Sequence, residues 1–156
     1  MPQPLQPPNP IGSESAIITQ GQLRRERLRL TSFVFQRTPS GQTRAEVELE
    51  WLEGERIVGR AQGVTSELGD LRVSAEAALR ALEGFSRGAA RLELTGVKMM
   101  RAFDANIVIV SVLSTGADGT HRLLGCHLAE HDPVRSAVVA VLHATNRTLG
   151  NFIATR

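Results

Sequence analysis

The chain has 156 residues, of which 42% are hydrophobic, and its 18 basic and 16 acidic residues leave a net charge of +2. That length fits one domain or two small halves with a shared core, and so small a charge excess does not by itself indicate a nucleic-acid partner. A single cysteine excludes an intrachain disulfide framework, and the lack of a long apolar run or a signal-like N-terminus makes a cytoplasmic protein with no membrane partner the expectation.

The first half of the chain predicts a tail followed by three strands and a helix. Residues 1–22 are expected to be a flexible tail, because five of the seven prolines lie in the first ten positions and little apolar material accompanies them. A short basic stretch, 22–29, comes next. Strands are then predicted over 30–36, 44–51 and 56–63, the second with the strict apolar–charged alternation of a half-buried strand. After a polar turn, 65–70, the spacing predicts a helix over 71–85.

The second half repeats this plan. Strands are predicted over 92–100, 107–113 and 121–128, and the almost wholly apolar 107–113 segment is expected in the middle of a sheet or against a partner. A second helix begins after Asp132, whose carboxylate is a good N-cap, with Pro133 at the first helical position. Apolar residues at helical spacing predict its buried face: Val134, Ala137, Val138, Val141, Leu142, Thr145 and Leu149.

A short frame, G-x6-D-x3-S-A-x2-A, occurs twice at an offset of 62 positions. It equates Gly63, Asp70, Ser74, Ala75 and Ala78 with Gly125, Asp132, Ser136, Ala137 and Ala140, and the same offset equates Gly54 with Gly116 and Val47 with Ile109. We therefore predict an α+β fold of two tandem βββα units, with antiparallel sheets, one helix each and a pseudo-twofold between them. The folded region is predicted at 23–152, with the first unit at about 28–87 and the second at about 90–152. Because one helix covers only part of a three-stranded sheet, the halves should share a core or pair further as a dimer.

Residues 30–146 resemble the C-terminal regulatory domain, the leucine-binding and dimerisation domain, of the 2-isopropylmalate synthase, citramalate synthase and homocitrate synthase family. The segments LTSFVFQ and AEVELEW are similar to its opening strands, and LELTGVKMMRAFDANIVIVSV is similar to the start of its second unit. Asp132 and Asn146 keep the spacing of the family's second helix, whereas Thr95 and Val141 replace its aromatic residue and its tyrosine. The resemblance implies a homodimer that binds an amino-acid-like ligand such as a branched-chain amino acid. The family's catalytic barrel does not precede the module, so synthase activity is not implied.

The predicted ligand site lies at the two helix N-termini, where free N–H groups and the helix dipole suit a carboxylate and glycines allow close approach. Together with the positions implied by the resemblance, the candidates are Gly63, Gly69, Asp70, Ser74, Thr95, Asp104, Gly125, Asp132 and Ser136. The alternative is that Asp70 and Asp132 cap the helices and that the glycines serve only turns.

A metal or nucleophile site is less favoured. Cys126, His127, Glu130, His131 and Asp132 carry suitable donor atoms, but Cys126 and His127 are adjacent on a predicted strand and should point to opposite faces. No residue is identified that would orient a Cys–His pair, and none that would stabilise an oxyanion. We therefore predict no metal, no cofactor and no catalytic residue.

The sequence thus predicts a non-catalytic, amino-acid-binding regulatory module that dimerises. A separate enzyme or protein is a further expected partner. The alternative is a dimerisation or partner-binding scaffold without a ligand, motivated by the apolar segment 107–113 and an expected exposed region around Trp51. RNA binding is weaker still: βββα is also the shape of a double-stranded-RNA-binding domain, but such domains need a basic helix start, and Asp70 and Asp132 stand there.

Overall fold

The computed structural model describes residues 28–51 and 54–154. The predicted tail, most of the basic stretch 22–29 and Glu53 of the predicted turn lie outside these ranges. The elements in chain order are β1 (Arg29–Arg37), β2 (Gln42–Trp51), β3 (Glu55–Val64), α1 (Glu67–Ser86), β4 (Ala90–Ala102), β5 (Ala105–Gly116), β6 (Gly119–Leu128) and α2 (Pro133–Ala154). This order confirms the predicted α+β fold with two βββα units.

The six strands form two antiparallel sheets. Sheet A has the order β1-β2-β3 and sheet B the order β4-β5-β6, so β2 and β5 are the central strands. The apolar segment 107–113 therefore lies mid-sheet, as predicted. A register shift between Leu94 and Gly96 interrupts β4 where it pairs with β5.

Each sheet turns one face, here called its inner face, toward the helices. On β2 this face carries Ala45, Val47 and Leu49, and on β5 it carries Val108 and Val110, all of them buried. Helix α1 packs against β2, β3, β4 and α2, whereas α2 packs against β5, β6 and α1. The buried side chains form one hydrophobic cluster, so the two units share a core. Within the described ranges no helix is both long and apolar enough to cross a membrane.

The two helices begin differently. Asp132 caps α2 as predicted, since its Oδ1 accepts from the backbone N–H of Arg135 at 3.2 Å. The predicted start of α1 was wrong: α1 begins at Glu67, and the Ser66 hydroxyl accepts from the Gly69 N–H at 2.8 Å. A serine at this position satisfies an orphan donor of the first turn. Asp70 consequently lies inside the helix and does not cap it.

Two glycines allow the helices to lie directly on the strands. A Cβ at Gly125 of β6 would lie 2.1 Å from the Ala140 carbonyl oxygen and 2.6 Å from the Ala144 nitrogen. Gly59 of β3 makes the same close approach to the backbone of Ala77 and Ala81. These contacts correct the predicted 62-residue frame, which equated Gly125 with Gly63 and Ala140 with Ala78.

The strand register agrees with this correction. Val47 pairs with Gly59 and Val110 pairs with Gly125, so Val47 corresponds to Val110 and not to Ile109. The chain is duplicated in architecture, but the true correspondence is displaced by one residue at β2 and at the middle of the helix. The glycines are displaced further because the chain between Val110 and Gly125 is longer than that between Val47 and Gly59. An extra turn at the start of α1 then restores the one-residue displacement at the helices.

Replacing Gly125 with alanine should destabilise the protein by at least about 2 kcal/mol, because the new methyl group meets helix backbone that cannot move aside. Gly96→Ala is the matched control, since the nearest atom to its Cβ would be 4.0 Å away. We expect the control to change the free energy of unfolding by no more than about 0.5 kcal/mol. Urea unfolding measures both, and equal effects would contradict the close-approach role.

Candidate functional site

The most buried charged side chain among the predicted site residues is Asp70, which is 2% exposed. Its Oδ2 accepts from Arg37 Nε at 2.9 Å and Nη2 at 2.6 Å, and its Oδ1 accepts from the Thr43 hydroxyl at 2.6 Å. Because that hydroxyl has one proton, Thr43 must accept from Thr65, whose Oγ1 is 2.9 Å away. Asp70 therefore joins α1 to β1 and β2 and has both carboxylate oxygens occupied.

The neighbouring predicted residues serve packing and local hydrogen bonding. Gly63 pairs with Thr43 and leaves room for Val73, whose Cγ2 would lie 2.9 Å from an added Cβ. Gly69 likewise has no space for a side chain, because a Cβ would meet the Val64 carbonyl oxygen at 2.4 Å. The Ser74 hydroxyl donates to the Asp70 carbonyl oxygen at 2.8 Å. The start of α1 is thus filled by the chain itself.

The second helix start is similarly occupied. Asp132 caps it, and the buried Ser136 hydroxyl donates to the Leu128 carbonyl oxygen at 2.9 Å. With its proton used there, Ser136 accepts from His127 Nδ1 at 3.3 Å, which places the ring proton of His127 on Nδ1. A serine in this arrangement is not activated by the histidine as a nucleophile.

The other two predicted residues lie apart from both helix starts. Thr95 stands on β4 and its hydroxyl contacts Ser111, with Oγ–Oγ at 2.8 Å. Asp104 lies in the β4–β5 turn, where it and Phe103 have positive φ angles of 61° and 51°. The structure therefore groups Gly63, Gly69, Asp70 and Ser74 at one end of α1 and groups Gly125, Asp132 and Ser136 along α2, and it does not bring all nine predicted residues into one site.

The cysteine and histidine residues do not converge. Cys126 is exposed on the face of β6 opposite to His127, as the alternation predicted. His127 contacts His143, with ring centroids 5.7 Å apart, and His143 Nδ1 lies 2.9 Å from the Cys126 carbonyl oxygen. In the part of the chain that the structure describes, no group of three or more histidine, cysteine or carboxylate side chains is placed to hold a metal ion.

The faces of the two sheets that point away from the helices, here called the outer faces, differ sharply. On sheet B the cross-strand pairing gives four rows: Met100–Ile107–Leu128, Lys98–Ile109–Cys126, Gly96–Ser111–Leu124 and Glu93–Leu113–Arg122. Three of the apolar side chains are well exposed, Met100 at 39%, Leu128 at 48% and Leu124 at 68%. Apart from Lys98, Ser111 and the ends of the Glu93–Arg122 row, this outer face of sheet B is an apolar surface, and no described residue covers it.

On sheet A the outer face is charged. The side chains of Glu46, Glu48 and Glu50 on β2 pair with arginines of β1 and β3. An open depression of about 570 Å³ lies on this face, lined by Val34, Gln36, Arg44, Ala45, Glu46, Arg60, Ala61 and Gln62. The expected exposed region at Trp51 was wrong, because Trp51 packs half-buried against the core.

Sequence reasoning pointed to the central strand of sheet B through the apolar segment 107–113, but it missed the contribution of β6 and the outer face of sheet A. On sheet B, Leu124, Cys126 and Leu128 of β6 alternate with Leu123, Gly125 and His127. Because apolar residues lie on both faces of this strand, the alternation does not indicate which face is exposed. On sheet A, the candidate site depends on which arginines lie next to a carboxylate, and only the strand register shows this.

No protein-family model matches the chain, and no curated protein matches its sequence. The resemblance to the synthase regulatory domain therefore stays a prediction.

Substituting alanine for Asp70 should cost about 3 kcal/mol of stability, because Thr43 and Arg37 lose a buried acceptor. Asp132→Ala, at the exposed cap of α2, should cost about 1 kcal/mol. The repeat frame equates these residues and implies similar costs, whereas the structure ranks Asp70 well above Asp132. Urea unfolding of the two variants distinguishes these cases, and the reverse ranking would contradict the role given to Asp70.

Proposed function

We propose that the chain is a non-catalytic association module that forms a homodimer through the outer face of sheet B. The observation that supports it is the set of exposed apolar side chains on that face, Met100, Leu124 and Leu128, around the half-buried Ile107 and Ile109. Contiguous apolar patches of this kind on a folded protein mark association surfaces more often than they occur by accident.

A second copy of the chain is the occupant that the charges favour. Glu93 and Arg122 stand in one row at opposite edges of sheet B, each paired with Leu113 of the central strand. Two strand spacings of about 4.8 Å separate them, and among the described residues neither side chain forms an ion pair. A two-fold axis parallel to β5 places each Glu93 opposite the Arg122 of the second copy, so the dimer contains two such pairs.

The same axis matches the apolar rows. Met100 and Leu128 also share a row, so each Met100 meets the Leu128 of the second copy, and Ile107 and Ile109 lie near their own symmetry mates. A two-fold axis perpendicular to the strands would instead place the row of Met100 and Leu128 in one copy against the row of Glu93 and Arg122 in the other. Desolvating those charges against apolar side chains is unfavourable. The axis parallel to β5 sets only Lys98 against an uncharged residue, Cys126 of the second copy. Lys98 stands on the edge strand β4, where its long side chain can keep the ammonium group in water, so this axis is the one we propose.

The area of the patch sets the expected strength. Three strands about 4.8 Å apart and seven residues of about 3.4 Å each outline about 350 Å² per copy. The pair buries about 700 Å² in this planar measure, which is at the weak end of specific interfaces. We therefore expect a dimer that dissociates on dilution.

Leu124→Ser combined with Leu128→Ser should shift the protein toward the monomer, because each exposed leucine supplies apolar area to the interface. Sedimentation velocity over a range of concentrations measures the shift. The matched control is Leu68→Ser, an equally exposed leucine (56%) on α1. A wild-type protein that stays monomeric at the highest concentrations, or a control that dissociates as readily as the test variant, would refute the proposal.

Reversing one charge should weaken the dimer and reversing both should restore it. Glu93→Arg sets two arginines opposite each other at each of two symmetry-related sites, which we expect to weaken association by about tenfold. Glu93→Arg combined with Arg122→Glu recreates the ion pair with the partners exchanged. Recovery of wild-type sedimentation in the double variant is the expected result, and no recovery would contradict the axis parallel to β5.

The amino-acid-binding regulatory role implied by the resemblance is the second candidate function. The helix starts do not favour it, since their donors are capped and Asp70 is fully engaged. The observation that supports it is instead the open depression on the outer face of sheet A.

A further inference from the structure

One row of the outer face of sheet A carries polar groups that no described residue engages. Gln36, Arg44 and Gln62 are directly paired across β1, β2 and β3. No hydrogen bond or ion pair joins their side chains to any residue in the described ranges. Side chains directly opposite one another on a sheet face are about 5 Å apart at Cβ, so the guanidinium and the two amides can reach one small molecule.

Arg44 differs from the other arginines of this face. Arg60 pairs with Glu46 at 2.7 Å, and Arg29 pairs with Glu50 at 2.9 Å. Arg56 contacts Glu48 and Glu50 at 3.5 and 3.9 Å. Among the described arginines of the outer face, Arg44 alone has no carboxylate partner. It therefore supplies an uncompensated positive charge with a free guanidinium fork.

The depression around Arg44 is large enough for a metabolite. Its volume of about 570 Å³ falls in the usual range for small-molecule sites. Val34, 44% exposed, contributes an apolar wall, and the Glu46–Arg60 ion pair borders the depression in the next row. One free cation, two amides and one apolar side chain thus face the same space.

We propose that this row binds a small organic monocarboxylate, of the 2-oxo acid or 2-amino acid class. The guanidinium of Arg44 donates two parallel hydrogen bonds to the carboxylate, a geometry that arginine favours. The amides of Gln36 and Gln62 contact the polar substituent on the adjacent carbon, and Val34 contacts the alkyl part. Arg44 is the one free cation of the described lining, because Arg60 is already paired with Glu46 at 2.7 Å. A second anionic group therefore finds no cationic partner there, which selects against dicarboxylates and phosphate esters.

The inference deepens the second candidate function and does not depend on dimerisation. The site lies on sheet A, whereas the proposed dimer uses sheet B, so each can fail without the other. Because the site is open to solvent, the binding should be weak, with a millimolar dissociation constant that rises with salt.

The experiment is a ¹H–¹⁵N NMR titration of the full chain with pyruvate, alanine, succinate and inorganic phosphate, each to about 20 mM, well above a millimolar dissociation constant. The side-chain amide signals of Gln36 and Gln62 report directly on the site. We expect saturable shifts of these signals with pyruvate or alanine, and weaker ones with succinate and phosphate. Arg44→Gln should weaken binding by about tenfold or more.

Two further variants make the result specific. Arg101→Gln, which removes an exposed and unpaired arginine from β4, should leave the titration unchanged. Arg44→Lys, which keeps the charge without the fork, should bind between wild type and Arg44→Gln. Absent shifts at Gln36 and Gln62, equal binding of phosphate and pyruvate, or shifts confined to the helix starts at Gly69 and Asp132 would each overturn the proposal.

Discussion

The structure depends on direct contact between helix backbone and strand backbone at Gly59 and Gly125. Each glycine lets a helix lie so close that a single methyl group would overlap it. The helices are therefore committed to the inner faces of the sheets, and α1 is shared with β4 of the second unit. The chain contributes no second layer in its described ranges, so the outer face of each sheet is left for water, a ligand or another molecule. Both proposed functions rest on what those two faces carry.

The secondary structure was predictable because its signals are local. Alternation along β2 and the Asp132–Pro133 start of α2 depend on neighbours in sequence, and both predictions were confirmed. Which residues of the two units are equivalent was harder to predict. Small residues match by chance, and a frame without gaps cannot represent the extra turn at the start of α1. An error of one residue moves Val47 from an inner-face partner to an outer-face one, since side chains alternate with a period of two.

The same extra turn explains why Asp70 lies inside α1 and not at its N-cap. Sequence reasoning treated Asp70 as a cap because it precedes an apolar run, but Ser66 provides that cap four residues earlier. Asp70 then faces Arg37 and Thr43, which lie more than 25 positions away in sequence. A pairing at that separation is set by strand register and packing, and no local pattern predicts it. The helix starts are stabilising features of the fold, and the free polar groups lie on the outer face of sheet A instead.

The contrast between the outer faces has a consequence for assembly. The central strands correspond, so Arg44, Glu46, Glu48 and Glu50 of β2 occupy the positions that Ile107, Ile109, Ser111 and Leu113 occupy in β5. Had both faces been apolar, each copy would offer two surfaces and association would continue into chains or fibres. The proposed pairing about a two-fold axis would use the one apolar face of each copy and would stop at two. The charged face of sheet A would then stay in water in monomer and dimer alike, so the proposed ligand could reach Arg44 in either state.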